Sequence, residues 1–193
     1  MPGSVPTVLT SQLGHFFITR MQDDLSSRFH PRTDHNFNLL DAMVCFHRVG
    51  SGTVHKLRTY DLHVVRCLKP DVIIELGTND LTNLSPEVVG SEIEELVSLF
   101  LETFSVRVIC VCHVIPRGIS FAGCDRFLQR ISSLKQYLSV VLAFPQVFCW
   151  THYSFSNPSK PFYLADSVHL NQVGQYLLYR SYRGAILKAL AML

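Results

Sequence analysis

The run DVIIEL, set between Pro70 and Gly77, constrains the fold of this chain more than any other feature. A strand with one wet face alternates apolar and polar residues, whereas a strand covered on both faces reads as a nearly continuous hydrophobic run. Similar short β-branched or aromatic runs occur near Val8, at Met43 to His47, at Val106 to Val114 and at Val147 to Trp150. Between them lie segments with helical spacing: Phe17 to Phe29, Val54 to Leu68, Pro86 to Phe104, Cys124 to Leu142 and Gln172 to Ala191. Strands alternating with helices from one end to the other predict an α/β fold, a three-layer α/β/α sandwich on a parallel sheet.

Local signals sharpen several boundaries. Ser85 followed by Pro86 and Glu87 is a helix start, because Ser caps the free N–H groups and Pro suits the first helical position. Val89, Ile93, Leu96, Val97, Phe100 and Phe104 then share one face, with Glu92, Glu94 and Glu95 mostly on the other. The Lys69-Pro70 step ends the second helix and leads into the DVIIEL strand, which stops at Gly77. There is no internal repeat or linker, so residues 1–193 are expected to form one domain. The longest irregular stretch, Thr151 to Ser167, reads as an active-site loop.

Composition narrows the functional classes. Hydrophobic residues make up 48% of the chain and charged ones 17%, which argues against disorder. The net charge of +2 comes from dispersed Lys and Arg, and Arg180, Arg183 and Lys188 read as a solvated helix face; nucleic-acid binding by the isolated domain is not expected. Of six cysteines, Cys45, Cys110, Cys112 and Cys149 fall in strand-like runs as small hydrophobes, so reduced thiols in an intracellular, cytoplasmic protein are expected. No segment has the apolar length of a signal peptide or membrane helix. Nine histidines show no metal-ligand spacing, and neither metal nor cofactor is expected; His55, His63 and His113 read as structural. Tyr176, Tyr179 and Tyr182 read as packing residues of the last helix.

In a parallel sheet, ligands gather beyond the carboxyl ends of the strands. Four segments meet that rule: LGHFF, VGSGT, GTND and the loop carrying DSVHLN. In GTND, Gly77 lets backbone approach a ligand, Asn79 can aim its amide at an oxyanion, and Asp80 braces the turn. In VGSGT, Gly50 and Gly52 expose N–H groups before a helix that Thr53 can cap, and Gly52 is a second oxyanion donor or simply part of a turn. Asp166 and His169 are spaced so that the carboxylate can orient the imidazole as a base.

These four blocks, in this order, resemble those of the SGNH/GDSL hydrolase superfamily, over almost the whole chain. The resemblance implies a flavodoxin-like fold with five parallel strands and serine-dependent cleavage of acyl esters. It implies Asp166 as the orienting acid, His169 as the base, and Gly52 and Asn79 as oxyanion donors. The tail HLNQVGQYLLYRSYRGAILKAL also resembles esterase-type domains carried by animal transposable elements.

The family's first block sets serine two residues after a glycine, and here Gly14-His15 leads to Phe16. Phenylalanine has no nucleophilic atom and cannot form an acyl-enzyme. Ser11 takes the role only if the first strand ends at Thr10 and not at Leu13. Three readings stay open: an ester hydrolase using Ser11 or His169-activated water, a non-catalytic descendant that binds a small-molecule ligand or a partner, and an accessory domain working beside a nucleic-acid-binding partner.

Overall fold

In the computed structural model, residues 8–14, 16–26, 33–40, 42–48, 53–60, 71–104 and 106–193 are described. The strands are β1 (Val8–Gly14), β2 (Ala42–Arg48), β3 (Asp71–Glu75), β4 (Val108–Cys112) and β5 (Val147–Trp150). They form a sheet in the order β2-β1-β3-β4-β5, and every neighbouring pair is parallel. The helices are α1 (Phe16–Ser26), α2 (Val54–Thr59), α3 (Asp80–Asn83), α4 (Pro86–Thr103), α5 (Cys124–Val141) and α6 (Gln172–Leu190).

Helices cover both faces of the sheet, as the near-continuous apolar strands require. Because side chains alternate along a strand, Ile74, Ile109 and Val111 enter one core with Leu57 of α2, Leu96 of α4 and Leu134 of α5. Ile73, Val108, Cys110 and Phe148 enter the other core with Ile18 and Met21 of α1 and Leu178 and Tyr182 of α6. Tyr179 is buried there as well and stacks on Phe37 with ring centroids 4.6 Å apart.

Most elements match the sequence expectations. Ser85 Oγ accepts the N–H of Val88 at 3.4 Å and Pro86 opens α4, whose Val89, Ile93, Leu96, Val97 and Phe100 are buried. Cys45, Cys110, Cys112 and Cys149 lie in strands as free thiols. Two elements differ. α2 ends at Thr59 with Tyr60 as its cap, and residues 61–70, over which the expected helix would continue to Leu68, lie outside the described set. The one-turn α3 was not expected; it forms because Leu81 N–H reaches back to Gly77 O at 2.9 Å. Among the described residues no helix is long and apolar enough to cross a membrane.

Candidate active site

In a doubly wound sheet the crevice opens where successive connections leave in opposite directions, here between β1 and β3. Gly14 ends β1 opposite Glu75, and α1 begins at Phe16, so Phe16 stands at the carboxyl mouth of that crevice. β1 runs through to Gly14, with Ser11 paired to Cys45 on one side and Val72 on the other. Ser11 is therefore mid-strand, about 10 Å short of the edge at strand rise. The shorter strand that would bring Ser11 to the edge is not adopted, since pairing continues in register on both sides of β1. Gly50 and Gly52 lie outside the described residues.

Across the crevice, β3 leads into Gly77, whose φ of +99° is in the region that side chains avoid. Asn79 stands at the N-cap position of α3, and its side chain makes no capping hydrogen bond there. Asp80 is buried, and its Oδ1 accepts the backbone N–H of Val54 at 3.1 Å. The expected brace thus spans two loops: it holds the start of α2, where the glycine segment ends, against the turn carrying Asn79. Burial raises the Asp80 carboxyl to about 6, against the opposing effect of the Val54 hydrogen bond.

The DSVHLN segment is a compact loop closed by a bridge between Tyr163 and Leu170. Leu164 N–H donates to His169 O at 2.7 Å, and Ser167 N–H donates to Leu164 O at 2.9 Å with Ser167 at φ +57°. Asp166 Oδ1 accepts the N–H groups of Val168 and His169 at 2.9 and 2.8 Å, and Oδ2 lies 2.5 Å from His169 Nδ1. With three groups converging on it, first the His169 ring and then the two N–H groups, the Asp166 carboxyl is held well below the usual carboxylate range. An ionised Asp166 accepts a proton-bearing Nδ1, which leaves Nε2 as the basic nitrogen.

One segment joins the two halves of the site. Gly118 N–H donates to Ser167 O at 2.7 Å, and Tyr163 Oη donates to Pro116 O at 2.7 Å. Arg117, between them, donates to Thr82 Oγ1 of α3 at 2.9 Å while its guanidinium sits 4.2 and 4.6 Å from the Phe121 and Phe127 rings. The Asn79 turn and the His169 loop are thereby both tied to the Pro116–Gly118 segment.

No family model matches the chain, and no curated protein matches it. Solved structures do. A candidate acylhydrolase from Bacteroides fragilis aligns over 97% of this chain and 92% of its own, with a TM-score of 0.69 and 16% identity. A GDSL-like lipase from Bacteroides thetaiotaomicron covers 94% and 88%, at 0.63 and 13%. A psychrotrophic esterase from Pseudoalteromonas, inhibited by monoethylphosphonate, covers 95% and 98%, at 0.61 and 17%. The fold is that of the SGNH/GDSL hydrolases.

On this SGNH/GDSL fold the chain also carries a buried cluster that sequence reasoning missed. Glu75, the last residue of β3, meets His152 with Oε2 and Nε2 2.9 Å apart, both side chains being 2% exposed. His152 Nδ1 lies 2.8 Å from Ser181 Oγ, which also accepts the Trp150 indole N–H at 3.0 Å. Burial disfavours charge on His152, but the Glu75 carboxylate and the hydrogen bonds to Cys112 and Glu75 outweigh it and lift the ring to about 10. The signal was present in DVIIEL: a carboxylate in a strand covered on both faces needs a partner. Glu75, Cys112 and His152 also bring ligand atoms within 4.8 Å of one another, but a metal there would have to displace the Glu75–His152 hydrogen bond. His113, expected to be structural, is held by Thr151 Oγ1 at 2.9 Å and lowered to about 4, chiefly by burial.

Proposed function

We propose that residues 1–193 form one SGNH/GDSL hydrolase-type domain that receives a small-molecule carboxyl ester in the crevice between β1 and β3, with His169 as its base. The observation that carries this reading is the 2.5 Å contact between His169 Nδ1 and an Asp166 carboxylate already fixed by two backbone N–H groups. Such an arrangement orients an imidazole for proton abstraction. The flavodoxin-like, five-stranded three-layer description belongs to the same proposal and is supported by the strand order 2-1-3-4-5.

Within this reading Asn79, Gly52 and the Phe16 backbone N–H form the oxyanion hole. Phe16 supplies no nucleophile, so water takes the place of serine: His169 removes its proton as it attacks the ester carbonyl, and the tetrahedral adduct then breaks its bond to the alcohol, which leaves with that proton returned by His169. Loss of a triad nucleophile costs about a million-fold in turnover, with roughly a thousand-fold over water surviving through the oxyanion hole and binding. Ester hydrolysis is thus expected to be slow and without an acyl-enzyme burst.

Phe16 itself favours a second reading, a non-catalytic descendant that keeps the crevice for a ligand or partner, including the accessory role suggested by the transposon-like tail. Hydrolysis of p-nitrophenyl acetate by the native chain and by His169→Ala separates the two. Slow turnover that disappears in His169→Ala supports the water mechanism. Equal rates in both proteins reject it in favour of binding alone, and a covalent acyl adduct on Ser11 rejects it in favour of serine chemistry.

A further inference from the structure

Arg117 is 8% exposed and makes no ion pair among the described residues. Burial pushes its guanidinium below the ordinary value, and no carboxylate offsets the effect. The Phe121 and Phe127 rings, 4.2 and 4.6 Å from its central carbon, fix the guanidinium in place. Nη2 donates to Thr82 Oγ1 at 2.9 Å, and Nε is sealed without a partner. Nη1 is not sealed and donates to no described residue, so it is the nitrogen left for an occupant of the cleft of about 420 Å³ that Arg117 lines. A buried charge is ordinarily paired, because an uncompensated one carries a large desolvation cost.

The same cleft collects two more cations and a helix start. Arg126 and Arg130 line it too, four residues apart on one face of α5. Arg126 is exposed, and Arg130 is anchored by Nη2, which donates to Leu84 O. Gly123 leads into α5 at φ +80° with no capping side chain, and a Cβ added there would meet nothing within 4 Å. Cys124 N–H turns back to Phe121 O and Phe127 N–H reaches Gly123 O, each at 3.0 Å. Between them the N–H groups of Asp125 and Arg126 have no backbone acceptor, as at any helix start. No carboxylate lines the cleft. Asp125 is exposed and forms no ion pair with either arginine, and Glu87 is lowered by its own N–H, then by Ser85, and only last by Arg130.

We propose that this cleft binds a phosphate group, free or carried by a small molecule, between Arg117, Arg126 and Arg130 at the start of α5. A phosphate monoester brings a charge of about −1.5 to −2 and three strong acceptor oxygens, which guanidinium groups meet in paired hydrogen bonds. A carboxylate brings one charge and two oxygens, too few for three guanidinium groups and the free N–H groups together. The helix start adds its own preference for an anion. Phosphate binding here needs neither Phe16 nor His169, so it stands or falls apart from ester hydrolysis.

The test is titration of the ¹⁵N-labelled full chain with inorganic phosphate, glycerol 3-phosphate and acetate, at one ionic strength held with sodium chloride. Both phosphates are expected to move the backbone amides of Gly123, Asp125 and Arg126 saturably and to raise the thermal midpoint. Tighter binding of glycerol 3-phosphate identifies a carried phosphate, and tighter binding of inorganic phosphate a free one. Acetate should bind about tenfold more weakly than either. Arg126→Gln, an exposed change that leaves the Arg117–Thr82 bond in place, should weaken phosphate binding about fivefold. Arg117→Met should weaken it about tenfold. The inference is overturned if neither phosphate moves these amides saturably, if acetate binds as tightly, or if Arg126→Gln binds phosphate like the native chain. That last comparison decides the matter even where Arg117→Met does not fold.

Discussion

Asp80 accepts the N–H of Val54 across 26 residues, and this one bond fastens the turn carrying Asn79 to the helix that follows the glycine loop. Its carboxyl is raised from 3.8 to about 6, mainly by burial. The folded chain therefore holds this proton more tightly than the unfolded chain, and the Asp80 contribution to stability falls as pH rises from about 4 to 6. Asp80→Asn keeps the acceptor oxygen and removes the ionisation. Thermal midpoints should match the native protein near pH 4 and exceed it at neutral pH; a lower midpoint at both would show that the charge itself holds Val54.

His152 gives a slope of the same sign in a higher pH window. Its ring is raised from 6.5 to about 10 against Glu75, so the pair's contribution is fully present below pH 6.5 and is lost as pH rises through about 10. Breaking the pair with His152→Ala strands a buried carboxylate and should cost about 3–5 kcal/mol, whereas the double change Glu75→Leu with His152→Leu should recover most of it. Denaturant midpoints of the two variants across that pH range check both statements.

Gly77 cannot be exchanged without strain. At φ +99°, with an added Cβ 3.3 Å from Val114 Cγ2, Gly77→Ala should lose about 1–3 kcal/mol. The denaturation slope should stay unchanged, since the fold is kept and only the turn is strained.

Asp166 sets the tautomer of His169. Replacing it with Asn puts an amide donor within reach of Nδ1, and long-range ¹⁵N spectra should show the ring proton moving from Nδ1 to Nε2. Any His169-dependent hydrolysis should then fall by about 10⁴, as for the equivalent change in a serine protease triad. An unchanged tautomer would mean that Asp166 only shapes the loop.

What could be read from the sequence was local or strongly periodic. DVIIEL had to be a covered strand, Ser85-Pro86 had to start a helix, and Asp166 and His169 lie only three residues apart, within one loop. What escaped reading depended on register. Glu75 and His152 are 77 residues apart and meet only because β3, β4 and β5 align their carboxyl ends. Whether Ser11 sits at the edge or mid-strand turns on where β1 stops, and that is decided by pairing with β2 and β3 on either side.

The central claim is that the site keeps an oriented Asp166–His169 pair and has Phe16 where a serine would act. Fluorophosphonate labelling of the native chain, Phe16→Ser, and Phe16→Ser with His169→Ala tests it most directly. The account expects no covalent adduct on the native protein, an adduct on residue 16 of Phe16→Ser, and its loss when His169 is removed. An adduct on a native serine, or no labelling of a folded Phe16→Ser, would contradict it.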